Sequence, residues 1–184
     1  AKDTCWVYVS PRILVKEVRL NKDTVRLKAG RTQMLQAGIT PQNATDPTLN
    51  WMNMGKATVT PSATNRTEAL VTAAVVTDTT LIIAEAKDGS KCRDTCVVIT
   101  HVPLDSIRLN KDTLRVDIGS KDTLRAMVYP SQATNRSLNW TVKGKAELTA
   151  SSETDTVALI AAALTPDTAY VIVEAKDSSD CRDT

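Results

Sequence analysis

The chain has 184 residues, of which 42% are hydrophobic and 24% are charged, and its formal net charge is +2. This balance is typical of a soluble globular protein with one or two domains and excludes a disordered tail. The near-neutral charge argues against nucleic-acid binding, and no apolar run reaches the roughly 18 residues that a membrane helix needs. Aromatic residues make up only 3% of the chain and Phe is absent, which favours β-rich domains with small aliphatic cores.

A long internal repeat organises the chain. Residues 15–95 align with residues 104–184 at a constant offset of 89 positions, without a gap, and each copy contains the block Arg-Leu-Asn-Lys-Asp-Thr. A repeat of this length is a whole domain and not one turn of a solenoid. We therefore predict one domain over residues 15–100 and a second over residues 101–184, with the second lacking its final strand.

The first residues of the chain, 1–14, are predicted to hold the last strand of a preceding repeat and a linker. Asp3-Thr4-Cys5 has the same sequence as Asp94-Thr95-Cys96 near the end of the first domain. The chain therefore starts and stops at the same phase of the repeat. Two interpretations follow: the chain is a piece of a longer array, or a neighbouring subunit completes it.

Strands of the first domain are predicted from alternating apolar and polar residues. This alternation covers residues 25–29, 35–39 and 49–53. Residues 81–86 are apolar nearly throughout, which is typical of a central strand covered on both faces. Residues 96–99 are predicted to form the last strand.

The second domain repeats this order. Residues 114–118 and 124–128 alternate, and residues 170–175 are nearly continuous in apolar character. Residues 68–76 and 157–164 are Ala-rich, so a short helix is the alternative, but their β-branched residues favour a strand. About seven short strands in each copy predict an all-β protein of two tandem immunoglobulin-like antiparallel β-sandwiches, with Trp51 and Trp140 in their cores.

The ordered blocks resemble the bacterial immunoglobulin-like domains of group 2, found in intimin- and invasin-type surface proteins. The resemblance rests on an opening element, an element that runs from a proline to the core tryptophan, and a closing turn. These blocks are Val18 to Gly30 and Ile107 to Gly119, Pro41 to Trp51 and Pro130 to Trp140, and Lys87 to Ser90 with its counterpart Lys176 to Ser179. The sequence departs from the family pattern after Trp51, where Met52-Asn53-Met54-Gly55 replaces a Ser/Asn-rich turn. The family implies spacers and adhesion modules on cell-surface or secreted proteins, with no catalytic residues.

Four cysteines, Cys5, Cys92, Cys96 and Cys181, belong to one repeated motif, Cys-Arg-Asp-Thr-Cys. In a straight strand Cys92 and Cys96 would lie about 13 Å apart, so a disulfide between them needs a loop or bulge. We predict this bridge, with free thiols as the alternative, and it would fit an oxidising extracytoplasmic setting. Cys5 and Cys181 are then unpaired, and we predict that Cys5 of one chain lies near Cys181 of another in a head-to-tail stack.

Other chemically active residues are sparse. His101 is the only histidine and is predicted to be a solvated linker residue. Asp88, Asp94, Asp177 and Asp183 lie near one turn of each copy; a calcium site is the alternative, but their spacing matches no calcium loop, so solvated turns are expected. No nucleophile or paired general acid and base is present, so we expect no catalytic residues, metal or cofactor.

At seven positions Ser or Thr follows an aspartate and precedes a small or apolar residue, which resembles the O-glycosylation signal of Bacteroidetes surface proteins. Asp-Thr is also a frequent turn pair, which is the alternative interpretation. The candidates are Thr24, Thr79, Ser106, Thr113, Thr123, Thr156 and Thr168.

Three functions remain open, all extracellular. The first is a semi-rigid stalk or adhesion module whose partners are neighbouring immunoglobulin-like repeats. The second is a binding module for a host or surface glycan or protein, such as a carbohydrate-binding appendage of a secreted enzyme. The third is a filament subunit, in which an N-terminal strand is added to the open edge of an identical subunit. The donor-strand candidates are Thr4, Cys5, Trp6, Val7, Tyr8 and Val9.

Overall fold

The structure is a computed structural model that describes residues 3–8, 10–150, 156–177 and 179–184. Within these residues all of the regular secondary structure is β-strand, which confirms the predicted all-β fold. The chain divides into two compact units, residues 1–100 and residues 101–184. The strands are β1 (Glu17–Leu20), β2 (Thr24–Lys28), β3 (Thr32–Thr40), β4 (Leu49–Met54), β5 (Thr58–Pro61), β6 (Glu68–Thr72), β7 (Asp78–Ala86), β8 (Arg93–His101), β9 (Ser106–Leu109), β10 (Lys121–Tyr129), β11 (Leu138–Lys143), β12 (Glu147–Ala150), β13 (Val157–Ala161), β14 (Tyr170–Ala175) and β15 (Arg182–Asp183).

Unit 1 is a sandwich of two four-stranded sheets, with strand orders β1-β3-β6-β5 and β2-β8-β7-β4. Alternate side chains point to opposite faces of a strand, so one set from each sheet can enter the shared core. Leu35 and Val71 of the first sheet and Ile82 and Val98 of the second belong to one buried cluster. The alternation in the sequence therefore decides which face of each strand is buried.

Unit 2 repeats this plan with one sheet of order β12-β13-β10-β9 and a second of order β11-β14-β15. The pairing of Leu138 with Ala175 between β11 and β14 matches that of Leu49 with Ala86 between β4 and β7. Because the registers agree, the two units place equivalent residues at equivalent positions in their cores.

One predicted strand is absent from unit 2. Residues 114–118 form no strand, although their counterpart in unit 1 is β2. In unit 1, β2 lies beside β8, and the Val97 N–H donates a hydrogen bond of 2.8 Å to the Asp23 oxygen just before β2. In unit 2, β15 contains only Arg182–Asp183, so no strand of the described residues lies beside residues 114–118 to pair with them. The prediction was wrong because alternation alone cannot supply that partner.

The Ala-rich stretches, residues 68–76 and 157–164, are strands over their first five residues and contain no helix. They form β6 and β13, each an inner strand that lies next to an edge strand of its sheet. Both strands alternate buried and exposed residues, with Ala69 and Ala158 fully buried.

The two tryptophans lie at equivalent places in the cores, where Trp51 is 7% and Trp140 is 9% exposed. Trp51 pairs across the sheet with Ala84, and Trp140 pairs with Val173. Among the described residues, Trp51 Nε1 has no hydrogen-bond partner. The Trp51 indole therefore acts as an apolar filler of its core.

Candidate functional site

A buried carboxylate anchors the beginning of unit 1. One oxygen of Asp88 accepts a hydrogen bond of 2.5 Å from the Val15 N–H, and the other accepts one of 2.9 Å from the Ser90 N–H. Arg12 Nη2 donates to the backbone oxygen of Asp88 at 2.5 Å. Asp88 is only 3% exposed, so backbone donors replace the water that would otherwise solvate its charge.

Unit 2 has the same arrangement at its own first strand. Asp177 accepts hydrogen bonds from the Leu104 N–H at 2.9 Å and from the Ser179 N–H at 3.0 Å. The donors Val15 and Leu104 are equivalent residues of the repeat. The bond is therefore part of the repeated fold and not a peculiarity of one unit.

A second aspartate in each unit holds the first strand at its other end. Asp94 accepts from the Leu20 N–H and Asp183 from the Leu109 N–H, both at 2.7 Å. We call Asp88, Asp94, Asp177 and Asp183 the anchoring aspartates. The prediction of solvated turns was wrong for Asp88, because its side chain is buried and one of its oxygens bonds to the distant Val15 N–H. Within the described ranges no three His, Cys, Asp or Glu side chains lie close enough to hold a metal ion.

Hydrogen bonding shifts the ionisation of two anchoring aspartates. The Ser90 side chain and the Val15 N–H stabilise the charged form of Asp88 and lower the pKa of that carboxyl below its ordinary value. Burial opposes the change at Asp177, but hydrogen bonds from Ser179 and Leu104 outweigh it, so the pKa of Asp177 is lowered as well. Both side chains therefore act as charged acceptors at neutral pH.

The cysteines of unit 1 are free thiols, so the predicted Cys92–Cys96 disulfide is absent from the structure. Cys96 is fully buried within β8, and Cys92 Sγ donates to the Val15 oxygen at 3.3 Å. β8 is extended from Arg93 onward, so no loop or bulge brings the two sulfurs together. Burial, with the charges of Asp23 and Asp94, raises the pKa of Cys96.

Cys181 repeats the geometry of Cys92, with its Sγ 3.6 Å from the Leu104 oxygen. Cys5 is exposed. The predicted contact between Cys5 and Cys181 involves two chains and stays a prediction.

Unit 2 has an open groove along the edge of its second sheet. The groove has a volume of about 900 Å³ and lies between residues 111–118 on one side and residues 165–171 on the other. Leu124, Ala146 and Ile160 line it from the core side. This is the position that β8 occupies in unit 1, between β2 and β7.

The residues along this groove are more exposed than their counterparts in unit 1. Val25 and Ile82 are buried in unit 1, whereas the matching Leu114 and Val171 are half-buried in unit 2. Tyr170, on the strand that borders the groove, is 61% exposed. The difference follows from the missing strand, since Cys96 and Val98 of β8 close the core of unit 1.

The donor-strand candidates lie in a segment without regular structure at residues 3–8, and Val9 lies outside the described residues. Thr4 and Cys5 are exposed. Trp6, Val7 and Tyr8 have exposed fractions of 79%, 80% and 89%. Three large apolar side chains in succession are therefore left uncovered, which is unusual for a soluble protein.

The candidate hydroxyls for glycosylation differ in accessibility. Five of them are exposed, namely Thr24, Thr79, Ser106, Thr113 and Thr168. Thr123 and Thr156 are half-buried. His101 was predicted to lie solvated in the linker, but it is the last residue of β8 and is half-buried.

The residues that lead into each unit are tied to it by a matching pair of hydrogen bonds. In unit 2 the Val102 N–H donates to Thr134 Oγ1 at 2.7 Å, and the Thr134 N–H returns a bond of 2.8 Å to the Val102 oxygen. In unit 1 Ile13 and Thr45 form the same pair, with both bonds at 2.9 Å. The chain between β8 and β9 is therefore held to the unit that it enters.

Comparisons with known proteins agree with the fold. No family model matches the chain. An uncharacterized protein of Clostridium acetobutylicum is 28% identical over 129 residues, which are 70% of this chain and 13% of that protein's length. The N-terminal four immunoglobulin domains of Dscam1 isoform 8.4 match with a TM-score of 0.54 and 16% identity, over 93% of this chain and 46% of that one.

The Escherichia coli adhesin FdeC matches with a TM-score of 0.46 and 12% identity, over 90% of this chain and 60% of that one. The Dscam1 match and the two sandwiches described above define the class: the protein has a tandem immunoglobulin-like fold. Within the described residues no helix is long and apolar enough to cross a membrane.

Proposed function

We propose that the chain is a non-catalytic tandem immunoglobulin-like repeat of a bacterial surface or secreted protein, related to the group 2 bacterial domains and acting as a semi-rigid stalk or assembly module. The observation that carries this proposal is the shared framework of the two units. Both units fix their first strand through a buried or half-buried aspartate, Asp88 or Asp177, and both tie down their leading residues. Repetition of such a framework suits a protein that extends by adding equal units.

The stalk role requires that neighbouring units do not move independently. Residues 102–105 join β8 to β9, and the Val102 backbone is bonded in both directions to Thr134. Pro103 restricts the backbone further, because its ring locks one dihedral angle. A short, tethered connection supports a semi-rigid link between units.

The experiment measures rotational diffusion of each unit by NMR relaxation. A semi-rigid pair gives both units one common correlation time, and Thr134→Val separates the two values because it removes the acceptor for the Val102 N–H. Thr45→Val is the matched control, since it deletes the equivalent bond at the start of unit 1 and should leave coupling between units unchanged. Separate correlation times in the unmodified protein would refute the stalk.

A second candidate function is assembly with identical subunits. Two observations favour it: the uncovered apolar side chains of residues 6–8 and the open groove of unit 2. The exposed side chains need a surface to cover them, and the groove has an apolar lining that a strand would cover.

A further inference from the structure

The second sheet of unit 1 has an apolar outer face. Side chains alternate between the two faces of a strand, so the residues between the buried ones of β4, β7 and β8 point away from the core. Six of these are large and apolar, and we call them the outer patch: Met52, Met54, Leu81, Ile83, Val97 and Ile99. Met54 is 62% exposed, and the others are half-buried. The nearly continuous apolar character of residues 81–86 therefore serves two faces, the core and this patch.

The fold does not require the outer patch, because unit 2 lacks part of it. The repeat aligns Met52 and Met54 with Thr141 and Lys143. β11 pairs with β14 in the same register as β4 pairs with β7, so the strand forms equally well with a polar and a charged residue at these positions. Contiguous apolar residues on the surface of a soluble protein are typical of interaction sites.

The charges beside the outer patch indicate that its partner is the same face of a second copy. Glu85 on β7 lies opposite Arg93 on β8. A two-fold axis that runs parallel to the strands, between β7 and β8, places β7 of one copy over β8 of the other. Glu85 of each copy then meets Arg93 of the other, so the charges are self-complementary. We propose that the outer patch of unit 1 packs on the outer patch of a second copy around this axis.

The same axis keeps like charges apart at the edges of the sheet. It places β4 of one copy over β2 of the other, where Arg26 and Lys28 are exposed. β4 contains no charged residue, so these cations meet no other cation there. Near the axis, Leu81 and Val97 are opposite each other in the sheet and would pack on their counterparts in the second copy. Stacked sheets lie about 10 Å apart, a gap that Glu and Arg side chains can span.

The size of the face predicts a weak and reversible dimer. Four strands about 4.8 Å apart, with a rise of about 3.3 Å per residue, cover roughly 15 by 25 Å, or roughly 400 Å² per copy. Stable complexes bury about 800 Å² per partner. We therefore expect dimers only in concentrated protein, or where chains attached side by side to a surface have a high local concentration. This lateral contact goes beyond the stalk role, and it uses neither the groove of unit 2 nor residues 6–8.

The first test is sedimentation of the 184-residue protein from dilute solution to about 1 mM, where we expect a monomer–dimer equilibrium. Met54→Lys should weaken dimerisation about tenfold or more, because it places a cation against the basic strand β2 of the other copy. Met34→Lys is the matched control. Met34 is 43% exposed on the outer face of the first sheet, so this variant should dimerise as the unmodified protein does. Both side chains are exposed, so neither change should affect folding, which circular dichroism checks.

The second test mixes two charge-reversed variants. Glu85→Arg alone sets like charges against Arg93 of the other copy, and Arg93→Glu alone sets like charges against Glu85. Each variant should therefore dimerise about tenfold more weakly than the unmodified protein. In a mixture of the two variants, every contact across the axis again joins opposite charges, so dimerisation should recover. A role of Glu85 and Arg93 within one sheet predicts no recovery on mixing.

The proposal is overturned if the unmodified protein is still a monomer at about 1 mM, if Met54→Lys dimerises as strongly as the unmodified protein, or if the mixture dimerises no better than the separate variants. Association through another surface, such as the groove of unit 2, would leave these variants unaffected and would also overturn it. The rotational diffusion test is made in dilute protein, where the chain is a monomer, so it judges the stalk independently of dimerisation.

Discussion

The carboxylate of Asp88 accepts a hydrogen bond of 2.5 Å from the backbone N–H of Val15, a residue 73 positions earlier in the chain. The bond joins the turn before β8 to the segment that leads into β1. Asp177 and Leu104 repeat it in unit 2. Each sandwich thus uses a charged side chain to hold backbone that is distant in the sequence.

Asp88→Asn should lower the thermal stability of unit 1 at neutral pH, because the amide is a weaker acceptor for the Val15 N–H. The pKa of Asp88 is lowered by folding, so its stabilising effect is full above the unfolded pKa of about 4 and is lost as the pH falls through the lower folded value. Thermal unfolding from neutral pH down to about pH 3 checks this. The difference between wild type and Asp88→Asn should shrink at the acid end.

The control for this prediction is Asp105→Asn, at an exposed position just before β9. It should leave stability at neutral pH nearly unchanged, because an exposed side chain loses few contacts. A constant difference between wild type and Asp88→Asn across the titration would show that the charge of Asp88 has no part in closing the sandwich.

Gly55 and Gly89 both have positive φ values, +141° and +87°, but only Gly55 is crowded. A Cβ on Gly55 would lie 2.8 Å from Thr80 Cα, whereas a Cβ on Gly89 meets nothing within 4 Å. Gly89→Ala should therefore cost about 1–2 kcal/mol of unfolding free energy from backbone conformation alone. Gly55→Ala should cost at least about 1 kcal/mol more, because the clash is added. Urea denaturation of both variants measures the two free energies of unfolding. Equal losses of unfolding free energy would contradict the close approach of Gly55 to Thr80.

Trp51→Ala should destabilise unit 1 by about 3–5 kcal/mol, because it empties the centre of the core. Trp51→Phe should cost at least about 1 kcal/mol less, since it keeps a buried ring and removes the Nε1–H, which has no partner among the described residues. Trp6→Phe, at an exposed position, should change stability by less than about 0.5 kcal/mol. Chemical denaturation followed by circular dichroism gives all three values. A loss for Trp51→Phe as large as for Trp51→Ala would contradict the role of the Trp51 ring as an apolar filler of the core.

The four cysteines should react with iodoacetamide in the order of their exposure when the protein is dilute. Cys5 is exposed, Cys92 and Cys181 are half-buried, and Cys96 is buried with a raised pKa. We expect Cys5 to be modified first and Cys96 only after denaturant is added. Peptide mass spectrometry measures the extent of alkylation at each cysteine. A linked peptide pair containing Cys92 and Cys96 would restore the disulfide that the structure lacks.

Local pattern in the sequence predicted much of each sandwich. Alternation located the strands around Leu35 and Leu124. The short strands β1, β5, β9 and β12 escaped notice because four residues give too little periodicity to recognise. Pairing with longer neighbours is what makes them strands.

The candidate site depended on contacts between distant residues, which pattern does not reveal. Asp88 lies in an Asp-Gly-Ser sequence that is typical of solvent-exposed turns, and only the fold brings the Val15 N–H to it. The wrong prediction of a strand at residues 114–118 has the same cause. The apolar and polar residues alternate there, but the neighbouring strand β15 has only two residues. The repeat itself was the usable signal, since it showed that residues 3–8 match β8.

The central claim is that β8 closes unit 1 while the equivalent edge of unit 2 is open, and amide hydrogen exchange tests it most directly. Residues 78–82 of β7 pair with residues 96–100 of β8, whereas the matching residues 167–171 border the groove. In dilute protein, the account predicts that residues 167–171 exchange at least about tenfold faster than residues 78–82. Equally slow exchange in the two segments would contradict it, because unit 2 would then be closed by its own residues.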